Sequence, residues 1–147
     1  MKIASSPPAI IQTFNMIVGE GNIAELRALD ASVIGDKWAC TRSGYFDNGE
    51  ALADACMTIT SAVGIYITLN PVMPALLARA CNRIRRVKDA DCTKDHHITR
   101  RHWLPIDIDA IRPSGISSTD REHEAAHHRA GDVWQFIHDE YGWGDPI

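Results

Sequence analysis

The sequence predicts an α+β fold, a mixed sheet with flanking helices, and three observations predict it. The run "GIYITLN", residues 64–70, is filled with β-branched and aromatic residues and is closed by Asn70-Pro71, the signature of a short strand. Residues 119–142 read as a long final helix. Thr119 with Glu122 three positions on forms a capping box, Ala126, Ala130, Val133, Ile137 and Tyr141 make an apolar stripe, and Gly142 is a natural stop. Extended and helical patterns are interspersed along the chain with no internal repeat.

Taken in order, the N-terminus has an apolar patch, Ile10, Ile11, Phe14 and Met16 to Val18, broken by Gln12, Thr13 and Asn15. That interruption does not fit a signal peptide. "NIAELRAL", residues 22–29, is open between helix and strand on pattern alone. "KWACTRSGYF" reads as extended, and "GEALADACMTITSA" places Leu52, Ala55, Ile59 and Ala62 at helical spacing. Pro74 stands where a helix can begin, followed by "ALLARACNRI"; the polar run Val87 to Lys94 reads as a loop. "ITRRHW" then leads into a short apolar strand that carries Asp107 and Asp109, and a Pro-Ser-Gly turn follows it.

A chain of 147 residues with 45% apolar composition suits one domain with a core of its own. A net charge of −4 argues against coating nucleic acid or an anionic membrane through the overall field, and leaves room for a local basic groove. Cys40, Cys56, Cys81 and Cys92 are irregularly spaced with no C-x-x-C pair, which suggests reduced thiols and a cytoplasmic setting. No apolar run approaches the roughly 20 residues that span a bilayer, so no membrane partner is expected.

The aspartates are the feature with most chemistry in it. In a strand, residues two apart point to one side with Cα atoms roughly 6.5–7 Å apart, so Asp107 and Asp109 would present their carboxylates together, with Ile106 and Ile108 facing the core. Two neighbouring carboxylates repel each other unless a cation lies between them, and hard oxygen ligands suit Mg²⁺ or Mn²⁺. The dipeptide spacing by itself is common and weak, and fits solvated polar punctuation at a strand end better than a metal site.

The flanking residues add specificity. "RRHWLPIDIDAIRPSGISSTDREH", with "YITLNPVMPALLARACNRI" and "GYFDNGEALADA" upstream of it, resembles the primase-polymerase domains of phage and plasmid replication proteins, members of the archaeo-eukaryotic primase superfamily. The similarity runs from about Ile23 to the C-terminus, with separated motifs in the right order. It implies a template-directed DNA primase or polymerase nucleotidyltransferase whose metal-binding, catalytic motif is Asp107 and Asp109. It makes Mg²⁺ or Mn²⁺ the cofactor, and a DNA template and nucleoside triphosphates the partners. Arg112 and the turn at Ser114 and Gly115 would approach the triphosphate through guanidinium and backbone N–H donors; as bare residues they also read as a surface charge and a turn.

This sequence departs from the family pattern in three places. Pro105 stands for an aliphatic residue and removes a donor inside the strand, and Ala110 stands for a proline. In the family, the segment resembling "YGWGDPI" is followed by a Ser-Gly-x-Gly-x-His motif and later by a third metal-binding carboxylate, and neither occurs in this sequence. The organisation expected is therefore an N-terminal extension over residues 1–21 and the N-terminal part of a primase-polymerase-like domain over 22–147. Its remaining partner would be a replicative helicase or the missing C-terminal half. The alternative is a non-catalytic module that binds nucleic acid or a replication partner.

Two further groups compete for attention. "HEAAH", His123 to His127, matches the zinc-protease pattern H-E-x-x-H, with Glu124 as general base, on a helix where i and i+4 share a face. Gly131 falls one residue late for the metzincin spacing. His138 and Glu140 lie roughly 16–20 Å further along a straight helix, too far to complete the site. Arg79, Arg83, Arg85, Arg86 and Lys88, with Arg100 and Arg101, form the best candidate for a phosphate-tracking, nucleic-acid-binding surface. Tyr66 and Trp103 are expected in core or strand packing rather than base stacking.

Overall fold

The computed structural model describes residues 6–146, and its elements bear out the α+β class. Helix α1 (Pro7–Ile17) starts on two prolines, whose fixed φ and missing N–H suit a first turn. Strand β1 (Ala24–Val33) then pairs antiparallel with β2 (Cys40–Phe46). Helix α2 (Gly49–Met57) is capped by the Asn48 side chain, which accepts from the Ala51 N–H at 2.8 Å. Strands β3 (Ile59–Ser61) and β4 (Gly64–Ile67) both return to β1, and β5 (Arg85–Arg86) pairs with β2. Every ladder is antiparallel, and one isolated parallel bridge joins Tyr45 to Cys81.

"NIAELRAL" resolves as strand because its alternation has two buried faces to serve. Ala24, Leu26 and Ala28 look toward the helices and join Phe14, Val18, Phe46 and Leu52 in the main core. Glu25, between them, is buried on the opposite face, the one on which Ile23, Tyr45, Val72 and Leu76 form a second cluster. The ladder between β1 and β2 shifts register between Ala28 and Ala31, where Asp30 takes a positive φ of 47°, a conformation a short polar side chain tolerates. Gly44 lies where no side chain fits: a Cβ there would stand 1.9 Å from the carbonyl oxygen of Arg83.

Three expectations change against this frame. The helix read through Ala62 stops at Met57, because Thr58 turns its hydroxyl onto the Ala55 carbonyl at 2.7 Å and Ile59 enters a ladder with Val33. "ALLARACNRI" yields only a 3₁₀ turn, Pro74–Arg79, since Ala80 leaves helical geometry and its N–H returns to Leu77. The aspartate strand is absent: residues 103–113 have no ladder partner among the described residues, and Pro105 and Pro113 cannot donate to one. Tyr66 lies in β4 opposite Arg27, as strand packing predicts, yet is 57% exposed rather than in the core. Trp103 is partly buried and donates its indole N–H to the Ile17 carbonyl at 2.7 Å.

The chain divides into two compact units between Leu104 and Pro105. The second is built on α3 (Asp120–Tyr141), whose ends match the sequence reading. Thr119 and Glu122 bond reciprocally at the start, and Gly142 adopts a left-handed φ of 66° at the stop. Ala126, Ala130, Val133 and Ile137 are the half-buried stripe, with Tyr141 exposed. No helix among the described residues is long and apolar enough to cross a membrane.

Candidate functional site

Asp107 and Asp109 lie on an irregular, solvent-facing stretch of the second unit. Both side chains are exposed, Ile106 between Pro105 and Asp107 is 48% exposed, and Ile108 is half-buried. Both carboxylates are thus open to solvent ions, without a strand to fix their separation. Among the described residues no group of three or more His, Cys, Asp or Glu side chains converges as a metal cage. Two hard oxygen donors suit Mg²⁺ or Mn²⁺, which retain water and take phosphate oxygens as further ligands.

The turn after the aspartates has definite geometry. Gly115 has φ 78°, which a non-glycine residue adopts only with strain, and the Ile116 N–H reaches back to the Pro113 carbonyl. Arg112 donates to the Ile116 carbonyl at 2.6 Å, so its guanidinium folds over the turn that contains Ser114 and Gly115. Arg112, Ser114 and Gly115 thus lie together at one turn. Beside them, the backbone N–H and hydroxyl of Thr119, with Arg112 nearby, hold the Glu122 carboxyl below its ordinary value.

The arginines divide. Arg79, Arg83, Arg85, Arg86, Arg100 and Arg101 are all exposed in the first unit. Arg85 and Arg86 stand opposite Ser43 and Arg42 in the ladder between β2 and β5. Arg79 spends a donor on the Asp91 carbonyl at 3.1 Å, and Arg86 is 2.6 Å from Asp36. Asp36 also holds the buried Arg42 and accepts from the Val33 N–H. That backbone bond and the two arginines hold its carboxyl far below the usual carboxylate range. Two members of the basic cluster are therefore partly committed to internal structure.

Sequence reasoning passed over Glu25, whose carboxylate is wholly buried, and its partner Arg27, which is about one-third exposed. Strand alternation places both on one face of β1, where Arg27 Nη2 stands 2.8 Å from Glu25 Oε2. Ser43 donates its hydroxyl to the same carboxylate, and the Thr93 N–H does so at 3.0 Å. Burial opposes ionisation of Glu25, and the bonds from Arg27, Ser43 and Thr93 outweigh it, so its pKa is lowered. The pair lines a surface cavity of about 360 Å³ with Tyr66, Thr68, Lys94 and Ile98. The available signal was a charged pair two apart inside the apolar run of residues 23–29.

On α3, His123 and His127 are both exposed, and their Nε2 atoms are 3.2 Å apart, so the H-E-x-x-H spacing does converge two imidazoles. His138 is engaged elsewhere, its Nδ1 lying 2.8 Å from the Trp143 carbonyl. No disulfide joins Cys40, Cys56, Cys81 and Cys92; Cys56 and Cys92 are buried and Cys81 is exposed. Comparison of the chain with protein-family models, with curated proteins and with solved structures finds no match.

Proposed function

We propose that this chain is a nucleotidyltransferase-type module of the primase-polymerase kind, acting in DNA replication in the cytoplasm. The observation that supports it most is the pairing of two exposed carboxylates, Asp107 and Asp109, with a guanidinium-covered Pro-Ser-Gly turn a few residues later. Asp107 and Asp109 would hold Mg²⁺ or Mn²⁺. When bound, such an ion neutralises charge on the reacting phosphate and lowers the barrier to attack by a 3′-hydroxyl. Arg112 and the N–H groups at Ser114 and Gly115 bind and orient the triphosphate. Arg79, Arg83, Arg85, Arg100 and Arg101 supply salt-sensitive contacts to template phosphates, and Arg86 does so less, being paired with Asp36.

One observation favours a second reading, a module that binds nucleic acid or a replication partner without chemistry. The aspartates have no third ligand group among the described residues and no strand to fix them, and loose positioning costs catalytic control.

Primer synthesis and extension with Mn²⁺ and labelled nucleotide tests the first reading. Product from the wild-type chain that vanishes in Asp107→Ala supports it. Binding of single-stranded DNA that survives this substitution, with no product from wild type, supports the second reading and rejects the first.

A further inference from the structure

We propose that His123 and His127 form a two-imidazole site on the outer face of α3 for one borderline transition-metal ion of the Zn²⁺, Ni²⁺ or Cu²⁺ class. This site is separate from the aspartates and does not depend on the proposed polymerase role. Nε2 of His123 and Nε2 of His127 are 3.2 Å apart, with the rings edge to face and centroids 4.6 Å apart. A zinc ion bonds imidazole nitrogen at about 2.0–2.1 Å, so two such ligands on a tetrahedral ion stand about 3.3 Å apart, and at a right angle about 2.9 Å. The observed separation falls between these values. The pair is already spaced as one edge of a coordination sphere.

Residues four apart on a helix are held by the backbone on one side, so chelation requires no refolding and closes a ring over a single turn. Both rings are solvent-exposed, so an ion reaches them without opening the fold. The donor chemistry separates this site from Asp107 and Asp109: neutral imidazole selects zinc, nickel and copper, and carboxylate oxygens select magnesium and manganese. With only two protein nitrogens and no third His, Cys, Asp or Glu converging among the described residues, the remaining positions belong to water or to a ligand brought by another molecule. This is an open, exchangeable site rather than a buried structural one.

The competing pair is His96 and His97, whose ring centroids are 4.1 Å apart. They are consecutive in sequence, and His97 Nδ1 already accepts the Lys94 N–H at 3.0 Å, so that pair offers a poorer chelate.

The test titrates ZnCl₂ into the full chain and follows the histidine imidazole resonances by NMR, with calorimetry for stoichiometry. The expected result is saturation at one equivalent, with the shifted resonances those of His123 and His127. Loss of one ligand in His127→Ala should weaken binding by about ten-fold or more, since even partners that only orient a ligand are worth about ten-fold. His96→Ala should leave binding unchanged, and Mg²⁺ should not displace zinc. Equal affinity in His127→Ala, or shifts confined to His96 and His97, overturns the proposal. Both histidines are exposed, so circular dichroism of His127→Ala should match wild type; the resonance assignment on the unmutated chain reads the site independently.

Discussion

Arg27 and Glu25 sit two positions apart on one face of β1, joined at 2.8 Å, with the carboxylate wholly buried and the guanidinium about one-third exposed. The Arg27 Nη2 also reaches the Thr93 carbonyl at 3.2 Å, while the Thr93 N–H returns to Glu25. The pair thereby ties the loop around Thr93 to the centre of the sheet. Glu25→Gln should cost about 2 kcal/mol of unfolding free energy, below the usual figure for breaking a buried pair because water still reaches Arg27. Urea titration measures it. Combining Glu25→Gln with Arg27→Met should cost less than the two single changes added together.

Acid should weaken the fold through Asp36 and Glu25. Both carboxyls are held below their ordinary values of 3.8 and 4.5 in the folded chain. Their stabilisation is fully present above those values and fades as pH falls through them toward the lower folded ones. An Asp36→Asn variant should be less stable than wild type at neutral pH, and its deficit should shrink on acidification below about pH 4. Thermal melts at stepped pH check the convergence; a constant deficit would reject it.

Asp107→Ala and Asp109→Ala should leave stability within about 0.5 kcal/mol of wild type, because both side chains lie in solvent and hold no partner among the described residues. Manganese affinity, read by paramagnetic broadening, should fall in each. Unchanged broadening in both variants would remove the aspartates from any metal role.

Phe14→Ala should cost about 3 kcal/mol, since Phe14 is the residue of α1 that the core buries. Denaturant unfolding measures the loss, and faster amide exchange over residues 7–17 would locate it.

Thr119→Ala removes a reciprocal cap and should cost α3 about 1 kcal/mol. The first turn, Asp120 to His123, should lose exchange protection before the rest of the helix.

How far the sequence could be read follows from the range of the interactions involved. The ends of α3 were legible because Thr119, Glu122 and Gly142 act within a few residues of each other. Strands β2 and β4 were legible because local composition is what a sheet face selects. The aspartate segment misled for the converse reason: "WLPIDID" has a strand's alternation, but a strand exists only beside a hydrogen-bonding neighbour, and none pairs with it here. Glu25 and Arg27 were passed over because their burial depends on Ser43 and Thr93, 18 and 68 residues further on from Glu25. Within the candidate site, the turn at Arg112, Ser114 and Gly115 was readable from its glycine, and the convergence of His123 with His127 from helical spacing. Asp36 was not, since its two arginines come from separate strands.

The contact between Gly44 and the Arg83 carbonyl has a quieter implication. What anchors the arginine-bearing segment against β2 is an absent methyl group, a backbone ladder and the pairing of Arg86 with Asp36, not the guanidinium groups of Arg83 and Arg85. Charge at Arg83 and Arg85 is therefore free to vary independently of the segment's position. Replacing Arg83 or Arg85 by glutamine would repaint the surface potential while the scaffold underneath stays put, whereas one added carbon at Gly44 would shift the whole strip.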